Sequence, residues 1–247
     1  MSDQVYAETP ALSPHAVWLS TPHHQLVEIA YGLGCRRFVL DIEHGYFDLD
    51  GTDKLVALIR ALGAKVYAKV LGPETIPIQQ ALDIGCHGVI IPHIGDVDHA
   101  RRVTSAAKYP GLGVRSFSGT RPARYDAVTQ EYYSRENAET LCLPMVESAE
   151  ALADIEAILA LPTVDGVFVG PSDLSLSRGR GAYMKTEADF DDLRRIAAAA
   201  RAAGKIWIMP AWAAVERRLA AELGAAWQVT VDEYGALWSG IEAGLKV

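Results

Sequence analysis

The chain has 247 residues, half of them hydrophobic and 22% charged, with 23 Lys and Arg against 31 Asp and Glu for a formal net charge of −8. That length suits one large domain such as an α/β barrel; an acidic chain without a basic run is a poor partner for nucleic acid or an anionic membrane, and no apolar stretch approaches the roughly 20 residues of a membrane helix. The start, MSDQVYAETPALSP, lacks the basic and apolar regions of a secretory signal, and the widely spaced Cys35, Cys86 and Cys142 fit neither a disulfide framework nor a cysteine zinc site, so a cytoplasmic single domain over 1–247 is expected.

In chain order, short apolar runs rich in Val and Ile recur at 16–20, 37–42, 66–70, 88–92, 140–146, 166–170, 206–210 and 227–231. Near-continuous apolar runs suit parallel strands buried on both faces. Between them the pattern predicts helices over His23–Tyr31, Asp53–Leu62, Ser148–Leu159 and Asp189–Ala203, punctuated by Pro22, Gly63, Pro162 and Gly204. Small Gly-X joints precede several strands, at Gly34, Gly63, Gly85, Gly204 and Gly224. Eight such β/α units predict a (β/α)8 TIM barrel in sequential order. An open doubly wound sheet is the alternative, weakened by the lack of a Gly-rich phosphate loop after the first strand. The segment 109–137 has no amphipathic period and holds Pro110, Gly111, Gly113, Gly119, Pro122, Arg115, Arg121 and Arg124. It reads as a lid or binding loop, or as an exposed insertion or subunit contact. A helix is expected at the C-terminus.

Barrel active sites lie where strands end. The polar residues there are Asp41, Glu43 and His44 after the second run, Lys69 in the third, Glu147 after the fifth, Ser172 and Asp173 after the sixth and Asp232 after the eighth, with Trp18 closing the first. Two carboxylates from adjacent strands, with a histidine on the same rim, suit a hard divalent cation with a base beside it. Each residue also has a plainer role. His44 would be a solvated histidine, Glu147 and Asp173 would cap helices, Asp83 would end its own helix, and Lys69 would pair with Glu43. His87, His93 and His99 match no zinc spacing, and the cysteines read as packing residues.

Four segments together resemble the HpcH/HpaI aldolase family of metal-dependent, class II pyruvate aldolases: Asp41-Ile-Glu-His-Gly45, Leu82-Asp-Ile-Gly85, Met145-Val-Glu-Ser148 with Glu150-Ala-Leu152, and Gly166-Val-Phe-Val-Gly-Pro-Ser-Asp-Leu-Ser175. They fall in family order and the resemblance covers roughly 16–235. It implies a (β/α)8 barrel assembled as a homo-hexamer. It further implies that Glu147 and Asp173 hold a divalent cation, Mg²⁺ or Mn²⁺ foremost, with Co²⁺ or Zn²⁺ as alternatives. His44 would be the acid/base, oriented by Asp83, and Glu43 would support the water on the metal. Trp18, Lys69, Ser172 and Asp173 would meet the substrate, a 4-hydroxy-2-oxoacid cleaved to pyruvate, or a related 2-oxoacid, and an aldehyde. Two positions depart from the family pattern. Lys69-Val70 replaces an arginine and proline on the third strand, and Met145 replaces a glutamine two residues before Glu147. Lysine supplies charge without a planar fork, so these departures imply an altered donor or acceptor, or weak aldolase activity. Competing readings are a CoA-thioester lyase using Arg115, Arg121 and Arg124, a Schiff-base aldolase using Lys69, and a barrel that only binds oxoacids.

Overall fold

The computed structural model describes residues 13–246, so most of the segment read for a leader lies outside it. Its strands are β1 (His15–Leu19), β2 (Arg37–Asp41), β3 (Lys65–Lys69), β4 (Gly88–Ile91), β5 (Leu141–Val146), β6 (Gly166–Val169), β7 (Ile206–Pro210) and β8 (Trp227–Asp232). Every one lies within one residue of its expected run. All pairings are parallel and sequential, and β8 returns to β1 to close an eight-stranded barrel, which excludes the open doubly wound sheet.

The helices are α1 (His24–Gly32), α2 (Leu49–Ala61), α3 (Thr75–Asp83), α4 (Val97–Thr104), α5 (Gln130–Glu139), α6 (Ala149–Ala153), α7 (Ile155–Leu159), α8 (Pro171–Ser177), α9 (Glu187–Ala202), α10 (Ala214–Glu222) and α11 (Glu233–Leu245). No described helix is long and apolar enough to cross a membrane. The expected Gly-X joints are real turns: Gly34, Gly63, Gly85, Gly204 and Gly224 have φ of +94°, +76°, +104°, +64° and +80°, a region that costs glycine nothing.

Three expectations need correction. Helix α2 starts at Leu49 rather than Asp53, because Asp48 caps it by accepting the Gly51 N–H at 2.7 Å. The helix expected over Ser148–Leu159 is two short ones, broken at Asp154, whose carboxylate accepts the Val97 N–H that opens α4 at 3.0 Å. The loop 109–137 ends in α5, which buries only Tyr132 and so carries no apolar period to read. Its aromatic cluster of Tyr109, Tyr132 and Tyr133 packs apart from the main core.

The two-residue pleat sorts the strands into two layers. Val17, Leu19, Phe38, Leu40, Val66 and Ala68 pack outward against helices. Ala16, Val39, Tyr67, Ile90, Leu143, Met145, Phe168, Ile208, Trp227 and Val229 fill the interior, with Tyr67 stacked on Trp227 at 5.0 Å. Following the same alternation to the strand ends points Trp18, Asp41, Lys69 and Glu147 inward.

Candidate active site at the rim where the strands end

Because all strands run in parallel, residues that end or follow β2, β3, β4, β5 and β6 converge on one rim. Asp41 and Lys69 are register partners across β2 and β3. The Lys69 ammonium lies 2.6 Å from Glu43 Oε2 and 3.4 Å from Asp41 Oδ1, with all three side chains under 10% exposed. Asp41 Oδ2 also accepts Trp18 Nε1–H at 3.2 Å, and Asp41 Oδ1 accepts the His44 N–H at 3.2 Å. Burial alone would raise the Glu43 pKa; the hydrogen bond and charge of Lys69, helped by His44 and His93, outweigh it and hold the carboxyl below its ordinary range.

Glu147 follows β5 and is buried. Its Oε1 accepts the His93 N–H at 2.6 Å. Burial, reinforced by the negative charge of Asp173, pushes its pKa up against the pull of the His93 N–H and Lys69. Asp173 lies exposed beside Ser172 in the first turn of α8, whose opening N–H groups have no partner inside the helix. Gly170 makes the corner possible, since a Cβ there would meet Glu147 Cβ at 2.8 Å and Oε2 at 2.9 Å. Met145 supplies an apolar floor, its Cε 3.0 Å from the same point.

This donor set suits a hard divalent cation. Two mutually repelling carboxylates, one of them desolvated, create a negative corner that a cation relieves. Among the described residues, no three or more His, Cys, Asp and Glu side chains are gathered as a metal cage. Gly170→Ala is expected to displace the Glu147 carboxylate and weaken Mn²⁺ binding by about tenfold or more, measured by titration calorimetry.

His44 stands on the rim with its side chain 65% exposed and Nε2 3.5 Å from Glu43 Oε2. Asp83 does not orient it within this chain. It is the last residue of α3, which runs back from the rim, so it sits toward the end of the barrel where strands begin. There its carboxylate pairs with the Arg115 guanidinium at 3.2 Å. Arg121 also lies at that end, paired with Asp53 at 2.8 Å. These two arginines therefore form no groove for a CoA phosphate at the rim of the same chain. Lys69 is engaged as an ammonium by two carboxylates, whereas a Schiff base needs the free amine.

Two residues at this rim carry no signal of local spacing. His93 follows Pro92 at the end of β4 in a left-handed backbone conformation, φ +59°. Its Nε2 lies 2.5 Å from Glu43 Oε1 and its Nδ1 3.8 Å from Glu147 Oε1, so it links the two carboxylates. The signal for it was position alone, directly after a barrel strand. Glu233, buried at the start of α11, accepts the N–H groups of Ser20 and Thr21 at 2.7 and 2.9 Å and so ties the β1 loop to the end of β8.

The chain is 36% identical over 197 residues, 76% of its length and 70% of the relative's, to the hydroxypyruvate/pyruvate aldolase of Deinococcus radiodurans. It is 31% identical over 195 residues, 76% of its length and 73% of the relative's, to the 4-hydroxy-2-oxovalerate aldolase of Novosphingobium aromaticivorans. The crystal structure of an HpcH/HpaI aldolase from Desulfitobacterium hafniense superposes with a TM-score of 0.87 at 26% identity, covering 94% of this chain and 91% of that one. A family model described as HpcH/HpaI aldolase/citrate lyase matches residues 15–234, and the chain belongs to that family.

Proposed function

We propose that this protein is a class II aldolase, a carbon–carbon lyase that reversibly cleaves a 4-hydroxy-2-oxoacid to pyruvate or a related 2-oxoacid and an aldehyde. The observation that carries the reading is the convergence of Glu147, Asp173, Lys69, Glu43 and His44 on one barrel rim, in a chain whose relatives are aldolases.

Glu147 and Asp173 would hold a divalent cation. When bound, it supplies Lewis-acid stabilisation of the charge that develops on the 2-oxo oxygen. The N–H groups around Ser172 and Asp173 open α8 and suit the substrate carboxylate. Trp18, fixed by its bond to Asp41, walls the pocket beside Lys69, whose Nζ lies 5.9 Å from the indole ring. Lys69 offers a point charge to the developing oxyanion. Its partner Glu43 limits that charge and holds the ammonium in place. His44, exposed on the rim, takes the proton from the C4 hydroxyl as the C3–C4 bond breaks, and its electrons flow toward the 2-oxo oxygen. Return of a proton to C3 completes the oxoacid. An imidazole suits both transfers because its ordinary pKa lies near neutral pH.

The outer surface of α11 leaves Leu237, Trp238, Ile241 and Leu245 exposed, which supports a homo-oligomer, the hexamer implied by the sequence resemblance. The compartment that fits three free cysteines is the cytoplasm.

The test is exchange of pyruvate methyl protons into D₂O, followed by NMR with Mn²⁺ or Mg²⁺ and again with EDTA. Exchange should require metal and fall by about a hundredfold to ten-thousandfold in His44→Ala. Exchange that persists in EDTA, or in full in His44→Ala, would remove this reading.

A further inference from the structure

The end of the barrel where strands begin carries a cavity of about 370 Å³. Lys65 opens β3 and His87 directly precedes β4, so the strand starts bring both to its wall. Arg60 reaches it from the last turn of α2, Arg135 from α5, and Arg124 from just after the 3-10 turn Arg121–Ala123. Five Lys and Arg side chains line the cavity against two carboxylates, Glu136 and Glu139, in a chain whose net charge is −8. Two of the five have local partners: Arg121 pairs with Asp53 at 2.8 Å, and Arg135 lies 3.9 Å from Glu136. Among the described residues, Arg60, Lys65 and Arg124 have no carboxylate within ion-pairing distance. A concave wall of one sign focuses the field and concentrates ions of the other.

His87 adds a donor to this wall. Its Nδ1 accepts the Val66 N–H at 3.1 Å, so the neutral ring carries its proton on Nε2. Burial first, then the charges of Lys65 and Arg60, press its pKa down to about 3, which keeps the ring neutral at pH 7. Nε2 stands 3.4 Å from Arg60 Nη1, whose guanidinium is fixed by a bond to the Gly85 carbonyl at 2.7 Å. Both nitrogens are donors, so neither satisfies the other, and an oxyanion beside them can accept from both. The backbone at Arg124 points the same way. It is left-handed, φ +55°, and Tyr125 follows at +58°. Side chains resist that region, and strain of this kind collects at ligand clamps. No Phe, Tyr or Trp lines the cavity, which leaves a nucleobase without a stacking face.

We propose that this cavity, at the opposite end of the chain's own barrel from the rim site, binds a small molecule bearing a phosphate or two carboxylates. Arg60, Lys65, Arg124 and the His87 Nε2–H hold the anion. Guanidinium and ammonium groups suit either charge carrier, and the volume admits a ligand of several carbons. Occupancy offsets the repulsion among the three unpaired cations and so stabilises the fold.

The experiment titrates inorganic phosphate, and separately succinate, into the full-length protein by calorimetry, in EDTA and at fixed ionic strength. It compares wild type with Lys65→Gln and Arg124→Asn, which replace exposed side chains; asparagine tolerates the left-handed backbone at 124. The expected result is one saturable site per chain for at least one of the two anions. Its affinity should fall by about tenfold or more in each variant, while Lys65→Arg, which keeps the charge, retains most of it. Tighter binding of phosphate identifies a phosphate ester as the ligand class, and tighter binding of succinate a dicarboxylic acid. Without anion, the two charge-removing variants should unfold at the same urea concentration as wild type or a higher one, because each relieves repulsion. Added anion should raise the wild-type midpoint and leave theirs nearly unmoved. No saturable binding of either anion, or equal binding by wild type and both variants, would overturn the proposal.

Discussion

Replacing Lys69 by methionine is expected to lower the stability of the barrel by about 3–5 kcal/mol at neutral pH, seen as a lower urea midpoint with an unchanged slope. Methionine matches the length of the lysine stem and fills the same space, so packing changes little. What changes is electrostatic. Glu43 and Asp41, each with a side chain under 10% exposed, lose the ammonium at 2.6 and 3.4 Å and remain as uncompensated charges. Removing one partner of a buried pair costs more than the pair is worth, because the survivor cannot return to water. The pH dependence has a definite sign. In wild type the Glu43 pKa is held below its ordinary 4.5, so the pair contributes stability above that pH and loses it as pH falls through the lowered value. Without Lys69 the dominant influence on Glu43 is burial, which raises its pKa, so the variant regains stability as acid protonates it. The stability gap between wild type and variant therefore narrows from pH 7 toward pH 4. A gap that widens on acidification would show that Glu43 is not the charge left exposed to desolvation.

The barrel was legible because its signals are local. A run such as Gly88–Ile91 is continuously apolar only where both sheet faces are covered, and Gly63 or Gly85 marks each return turn by a conformation that other residues avoid. Rim residues followed from the same logic. Lys69 and Glu147 lie on the inward phase of their strands, and the inward phase at a strand's end opens onto the rim. Asp83 was open to this reasoning as well, since it lies two residues before the Gly85 joint, and such joints lie at the end where strands begin. Within one chain that end lies away from His44. His93 was not legible from spacing, because its partners Glu43 and Glu147 are 50 and 54 residues away and meet it only when the barrel closes. The contact of Glu233 with Ser20 spans 213 residues and depends on the same closure. Helix α5 escaped for a different reason: with one buried residue, its pattern is that of a solvated loop.

Glu147→Gln is expected to separate activity from stability more sharply than any other change at the rim. Glutamine keeps the shape and, through its carbonyl oxygen, still accepts the His93 N–H that Glu147 Oε1 accepts at 2.6 Å. It removes the charge that would hold the cation, so metal-dependent exchange of pyruvate methyl protons should fall by about a hundredfold or more. Stability without metal should move the other way. Burial and the Asp173 charge raise the Glu147 pKa, so the ionised form is the disfavoured one in the metal-free fold. A raised folded-state pKa gives stability that is fully present below the ordinary 4.5 and is lost as pH rises through the raised value. Glutamine has no such loss. The metal-free variant should thus be at least as stable as wild type at pH 7, with a flatter dependence on pH. Saturating Mn²⁺ should reverse the order, raising the urea midpoint of wild type and leaving that of the variant nearly unmoved, because only a fold that binds the ion gains from it. A variant destabilised in the absence of metal would mean that the Glu147 carboxylate serves the fold. Equal Mn²⁺ stabilisation of both proteins would mean that the ion binds elsewhere.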